Sequence, residues 1–409
     1  MADDCCPSAL KVDSIEATAP ERETRRRMRW LMLAMAGAAI LLAFAGWPML
    51  RVHLQSIAVL DLVGDKPVPE WLRRFVSEPI QVRDLQLPLA SGTVRARLYT
   101  PLAPRNAAPK NAPAIIVLHG VHHLGIDEPR LENFATAMAA CGVQVLTPEL
   151  PDIKDYQVGS NSIATIGESA GWLRREDGGR PVGVLGLSFS GGLSLLAAAD
   201  PGYQKDIRFV MAVGSQDEMS RVAAYYRTGE DVRPDGTEET LAPHEYGPLV
   251  LEYEHVGEFV PAQDVPAIRA VLRAHLYEDS AAEHVALASL SSKQATEAKA
   301  LMDTSLPATR TALERADERH ADDMAAVSPH GRLATLKTPV YLLHGAGDNI
   351  IPSAETEWMA AELPKRSLKA VLISPVLSHL DLDGARPTVA DQLRLVHFFA
   401  EVLHAAEVQ

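Results

Sequence analysis

Six short apolar runs constrain this chain more than any other feature: residues 114–118, 143–146, 181–187, 207–213, 339–343 and 368–373. They are largely apolar throughout rather than on alternate residues, as strands buried on both faces are. Helical patterns lie between and after them, at 131–140, 162–177, 191–199, 355–363 and 388–403. Cys141-Gly142 closes the first of these and Asp177-Gly178-Gly179 stops the second. Strand and helix alternating through short connections predict an α/β fold, a mostly parallel sheet with helices on both faces. Ahead of it, Ile80–Leu89 and Thr93–Tyr99 read as two strands joined by an Ala90-Ser91-Gly92 turn.

The alternation breaks at Ser215 and returns only after His330. The stretch between is charged, alanine-rich and mostly helical in pattern. It predicts a helical cap, 215–330, inserted into a core made of 78–214 and 331–409. Long insertions that leave and rejoin a sheet usually cover an active site or bind substrate.

The N-terminus has a different character. Residues 1–29 read as a disordered, cytoplasmic tail that ends in an arginine cluster, Arg25-Arg26-Arg27-Met28-Arg29. Residues 30–50 then run without a charge, and about 20 apolar residues suffice to span a bilayer. The arginines favour a cytoplasmic N-terminus, which puts the folded domain outside, in the periplasm if the cell is bacterial. A cleaved signal peptide ending near Ala45 is the alternative, with a secreted product. Residues 51–77 read as a helical connector, with Asp65-Lys66-Pro67-Val68-Pro69 as its breaker. The 409-residue chain carries a net charge of −14, which leaves no electrostatic footprint for nucleic acid. Its three cysteines, Cys5, Cys6 and Cys141, build neither a disulfide framework nor a metal site.

Four motifs carry chemistry. Val184-Leu185-Gly186-Leu187-Ser188-Phe189-Ser190-Gly191-Gly192 sets a serine after a buried strand and before a helix. A sharp turn there strains the serine and exposes its Oγ. Gly186 and Ser190 are small because strand and helix approach closely. His119-Gly120-Val121 ends an earlier strand, where the backbone N–H groups of Val121 and Phe189 are placed to stabilise an oxyanion. Val340–Pro352 brings Asp348 to a strand end, and His379 follows the next strand. A carboxylate there orients a histidine, and the histidine deprotonates the serine. Gly167-Glu168-Ser169-Ala170-Gly171 matches the G-x-S-x-G string better than the Ser188 segment does. It lies in a helical pattern with no buried strand before it, so Ser169 reads as a helix-surface residue.

The order Ser188, Asp348, His379 is the one used by the α/β-hydrolase family, and residues from about 78 onward resemble that family. The likeness is to its dienelactone-hydrolase-like and serine-aminopeptidase-like members, and it leaves out 215–330. It implies an α/β-hydrolase fold with Ser188 as nucleophile, Asp348 as acid, His379 as base and no cofactor or metal. The implied activity is a serine esterase acting on a small-molecule ester through an acyl-enzyme. A peptidase or amidase, an acyltransferase and a non-catalytic tethered binding protein stand as alternatives. A peptidase needs a cap carboxylate for the substrate amine, for which Asp217 and Glu218 are candidates. His122, His123, Asp127 and Glu128 are further pocket candidates. The cap residues Tyr225, Tyr226, His244, Tyr246 and Tyr253 read as packing or exposed groups. Oligomeric state is not legible.

Overall fold

The computed structural model describes residues 19–64, 66–102, 112–303, 305–379 and 387–407, with backbone alone for 19–27, 29, 33, 34 and 36–45. Eight strands form the main sheet: β1 (Ile80–Leu89), β2 (Gly92–Pro101), β3 (Ala114–Leu118), β4 (Gln144–Pro148), β5 (Val182–Leu187), β6 (Ile207–Val213), β9 (Val340–Gly345) and β10 (Leu368–Ser374). The short strands β7 (Glu230–Val232) and β8 (Glu238–Thr240) pair separately, inside the insertion. The spatial order is β1-β2-β4-β3-β5-β6-β9-β10, with β2 antiparallel to both neighbours and every other pairing parallel. This is the α/β-hydrolase arrangement, and each of the six apolar runs is one of its strands.

Among the described residues fifteen α-helices accompany the sheet. Those of the core are α1 (Ala19–Val63), α2 (Glu70–Val76), α3 (Pro129–Ala140), α4 (Pro151–Lys154), α5 (Asn161–Glu176) and α6 (Phe189–Ala199). The insertion holds α7 (Met219–Thr228), α8 (Tyr246–Glu254), α9 (Val265–Leu276), α10 (Ser280–Ala288), α11 (Ser292–Leu301), α12 (Pro307–Arg319) and α13 (Ala321–Ala326). The core closes with α14 (Ala354–Glu362) and α15 (Val389–Glu407). Start signals are local. Pro129 opens α3 where its missing N–H costs nothing, and the Glu128 side chain accepts from the Leu131 N–H.

The strand period of two divides the sheet between two apolar cores. Ile116 and Leu118 of β3 face one core with Ile166, Leu193 and Leu196 of α5 and α6. Ile115 and Val117 face the other with Leu131, Met138 and Phe399 of α3 and α15. The end of α1 enters this second core. Val52, Ala58 and Val59 are fully buried, Gln55 Nε2 donates to the Cys141 carbonyl at 2.6 Å, and Ser56 Oγ donates to the Val396 carbonyl at 2.7 Å. The expected connector 51–77 is therefore a structural part of the domain from Val52 onward, and α2 adds Leu72 and Val76 to it. Cys141 is buried, as a small apolar side chain would be, and its Sγ donates to the Gln55 carbonyl at 3.8 Å.

Among the described residues no helix is long and apolar enough to cross a membrane. The expected anchor over 30–50 lies on α1, where most side chains are outside the described set. The tail before Ala19, with Cys5 and Cys6, lies wholly outside it.

The insertion is helical but for the β7–β8 pair, and it has its own core of Leu249, Tyr253, Ile268, Val271, Leu272 and Leu301. It is fastened to the sheet domain by Trp358 Nε1 of α14, which donates to the Val232 carbonyl of β7 at 2.9 Å.

Candidate active site

The site builds outward from Ser188. Its φ of 55° and ψ of −135° lie where a non-glycine residue is strained, and it is one of three described non-glycine residues with positive φ. The turn is held on several sides. The Ser188 N–H donates to the Val213 carbonyl at 2.8 Å, and its own carbonyl accepts from Ser215 Oγ at 2.8 Å and from the Gly191 N–H at 2.9 Å. The closeness of β5 and α6 explains the small residues. A Cβ on Gly186 would stand 2.5 Å from the Ser190 carbonyl oxygen, and one on Gly191 would stand 1.9 Å from Ser215 Oγ.

Ser190, where a glycine is usual, has a use for its hydroxyl. Buried completely, it donates to the His119 carbonyl at 2.6 Å and ties the nucleophile helix to the end of β3. His119 is buried as well. The Leu150 N–H donates to its Nε2 at 3.0 Å, so the ring proton sits on Nδ1 and goes to the Gly120 carbonyl at 2.8 Å. Burial pushes its pKa down to about 4, so the ring stays neutral and keeps this tautomer. The loop that presents Val121 is thus fixed from both sides. Neither the Val121 nor the Phe189 N–H has a hydrogen-bond partner among the described residues.

Asp348 and His379 meet Ser188 from β9 and β10. His379 Nδ1 lies 2.5 Å from Asp348 Oδ2, and its Nε2 lies 3.1 Å from Ser188 Oγ. Asp348 Oδ1 accepts from the Ile350 and Ile351 N–H groups at 2.9 and 3.0 Å. Burial favours the neutral acid, but His379 and His344 beside it outweigh burial and hold the carboxyl well below the usual carboxylate range. The ionised Asp348 accepts the Nδ1 proton of His379 and leaves Nε2 to accept from the serine hydroxyl. Two glycines make room for this pair. A Cβ on Gly345 would stand 1.6 Å from the Ser378 carbonyl oxygen, in the loop that carries His379. Gly214, at a φ of +59°, backs the pair, since a Cβ there would stand 3.3 Å from Asp348 Oδ2.

Two contributors go beyond the sequence reading: one it does not single out, and one it takes only for a packing or exposed cap residue. His344 is fully buried, with Nε2 2.9 Å from the Ile351 carbonyl and 3.3 Å from Asp348 Oδ2, and with Thr356 Oγ1 2.7 Å from Nδ1. Two acceptors face its Nε2, so that nitrogen donates and steadies the aspartate from behind. Its one sequence signal is a histidine just before Gly345 in an apolar strand. The other is Tyr246 of the cap, whose hydroxyl donates to the Val121 carbonyl at 2.7 Å. The insertion therefore holds the candidate oxyanion loop directly.

Other candidates lie elsewhere. Ser169 is fully buried rather than on the helix surface, and its Oγ has no partner among the described residues. The glycines of that string serve packing, since a Cβ on Gly167 would stand 2.2 Å from the Tyr203 ring. Tyr225, Tyr226 and Tyr253 are buried packing residues. His122 stacks on His123, which stacks on Tyr277, with centroids 4.6 and 4.7 Å apart. Asp127 is paired with Arg95 and Arg97, and Glu128 caps α3. Asp217 and Glu218 are both bound to Arg221, at 2.9 and 3.0 Å.

No family model matches this chain, and no curated protein matches it either. Solved structures do. An acylaminoacyl peptidase from Pyrococcus horikoshii is 11% identical over 80% of this chain and 41% of its own, with a TM-score of 0.45. An esterase from Pyrobaculum calidifontis is 15% identical over 88% and 92%, also at 0.45. The 2,6-dihydroxy-pseudo-oxynicotine hydrolase is 15% identical over 83% and 72%, at 0.42. The chain spans about two fifths of the length of the acylaminoacyl peptidases it matches. Likenesses this distant say nothing about substrate.

Two outcomes follow from the hydrogen bonds around the loop. Tyr246→Phe removes one bond to the Val121 carbonyl, worth about 1 kcal/mol. In steady-state kinetics on an ester that the wild type turns over, kcat should fall by roughly five- to tenfold, with KM and Tm little changed. His119 has a folded pKa of about 4 against an unfolded value of about 6.5, so the unfolded chain binds the extra proton between them. Stability is lost as pH falls from about 6.5 to about 4, by about 3 kcal/mol from this group. Denaturant midpoints should decline less steeply over that window in His119→Gln than in the wild type.

Proposed function

We propose that this protein is a serine hydrolase that cleaves carboxylic esters through an acyl-enzyme on Ser188. The observation that carries the reading is the unbroken relay from Asp348 through His379 to Ser188 Oγ, with the serine at a strained strand-to-helix turn. In the proposed cycle His379 Nε2 takes the hydroxyl proton as Ser188 Oγ attacks the ester carbonyl. The N–H groups of Val121 and Phe189 stabilise the oxyanion. His379 returns the proton to the leaving alcohol, and water, deprotonated by His379, then releases the acid and restores Ser188. An ester is favoured over a peptide because the two cap carboxylates nearest the site in sequence, Asp217 and Glu218, are held by Arg221 and are not free for a substrate amine.

A fluorophosphonate probe should label the folded protein at Ser188, and Ser188→Ala should lose both label and ester hydrolysis while Ser169→Ala keeps them. Short p-nitrophenyl esters should turn over and aminoacyl anilides should not. Label on Ser169, or none on a folded protein, would sink the reading. Transfer to an added alcohol in preference to water would turn it toward an acyltransferase.

The proposed hydrolase is anchored through residues 30–50, with its N-terminus in the cytoplasm and the folded domain outside. The support is sequence alone: a charge-free stretch of spanning length behind an arginine cluster. The full-length chain should stay with membranes through an alkaline carbonate wash. A mature mass that begins at Gly46 would instead identify a secreted enzyme.

A further inference from the structure

The insertion leaves the core after β6 and returns before β9, and its two ends lie side by side. The His330 N–H donates to the Asp217 carbonyl at 3.0 Å, the Met219 N–H to Ser328 Oγ at 2.9 Å, and Gln216 Nε2 to the Val327 carbonyl at 3.2 Å. Two carboxylates of α14 clamp these ends. Glu355 Oε2 accepts from the Asp217 and Glu218 N–H groups, both at 2.8 Å. Glu362 accepts from the Gly331 and Leu333 N–H groups at 2.9 and 2.8 Å.

The side chains at this junction do not balance. Asp217, Glu218 and Glu355 all bind one guanidinium, Arg221, and Glu362 adds a further carboxylate beside His330. Asp217 is fully buried. Its Oδ2 takes Arg221 and lies 3.2 Å from His330 Nδ1, while its Oδ1 has no partner among the described residues. A buried carboxylate oxygen left this way is costly. His330 Nδ1 also lies 3.7 Å from Glu362 Oε2, and Asp217, His330 and Glu362 each offer a ligand atom within 4.8 Å of the others. One imidazole nitrogen and two carboxylates are a donor set for a divalent first-row metal. The imidazole is half-exposed, which leaves a path from solvent.

We propose that Asp217, His330 and Glu362 form a divalent transition-metal site that pins both ends of the insertion to the core. In the metal-free protein His330 Nδ1 carries a proton toward Asp217. On binding, Nδ1 donates its lone pair to the ion and the ring proton moves to the exposed Nε2. Arg221 keeps its bond to Asp217 Oδ2, and the same carboxylate, which already faces His330 Nδ1, supplies a ligand to the ion. The role is structural, since none of the three residues touches the Ser188 relay. The junction reaches the Ser188 turn through Ser215, whose Oγ donates to the Ser188 carbonyl, and reaches Asp348 through Thr356 of α14 and His344.

The test is Mn²⁺ binding to the full-length, chelator-treated protein, read from the free-ion electron paramagnetic resonance signal, with thermal unfolding in parallel. Expected are one Mn²⁺ per chain at sub-millimolar metal and a Tm raised by a few degrees. His330→Ala should weaken binding by more than about tenfold and abolish the Tm shift. Glu362→Gln should weaken it too, and His122→Ala should not. His330 is exposed, so its removal leaves a folded chain whose ester turnover without metal matches the wild type. No binding by the wild type, or binding unchanged in His330→Ala, overturns the proposal. The readout does not involve hydrolysis, so it stands or falls apart from the activity of Ser188.

Discussion

The rest of the structure depends on one strained residue. A non-glycine side chain at positive φ costs on the order of 1–3 kcal/mol, and it persists only where its surroundings over-determine it. Around Ser188 that work is shared by backbone and hydroxyl groups from three elements: the Val213 carbonyl of β6, the Gly191 N–H of α6 and Ser215 just beyond β6. Two of these groups demand a small neighbour: a Cβ on Gly186 would meet Gly191, and one on Gly191 would meet Ser215. The parallel order of β3, β5, β6, β9 and β10 then brings the ends of five strands to one edge, so that loops far apart in sequence converge on one hydroxyl.

Hydroxyl-to-carbonyl bonds recur as the fastening between parts. Ser190 joins α6 to the end of β3, Ser215 joins the insertion's first residues to the nucleophile turn, and Tyr246 joins the insertion to the loop after β3. These bonds are directional, the two serine bonds buried and the tyrosine bond partly so, and they fix angles that apolar packing leaves free. The apolar cores on either face supply most of the burial, and the hydroxyls supply alignment at the edge where the chemistry is proposed.

Much of this was legible in the sequence because the information was local. An uninterrupted apolar run reads as a buried strand, and the turn after β5 is written in nine consecutive residues. The order of Ser188, Asp348 and His379 added a constraint that no single motif carries. Local reading failed where the reason for a residue lies far along the chain. The glycines beside Ser169 sit in what reads as a helix surface, yet Gly167 answers to the ring of Tyr203 and Gly171 to Asp206. Val52–Val63 looks like the tail of an apolar helix, yet its partners are Cys141 and Val396. Asp217 and His330 are 113 residues apart, and no spacing rule joins them.

The closeness of the insertion's two ends bears on how such a protein changes over generations. A segment that departs and returns through adjacent backbone positions is a closed loop hung on the sheet domain, since the His330 N–H and Asp217 carbonyl already bridge its base. What hangs there can be lengthened, shortened or exchanged without moving β6, β9 or the side chains they carry. The sheet scaffold and the inserted helices are then separable inheritances. The price of separation is that Tyr246, which reaches from the exchangeable part to Val121, must be supplied again by whatever replaces it.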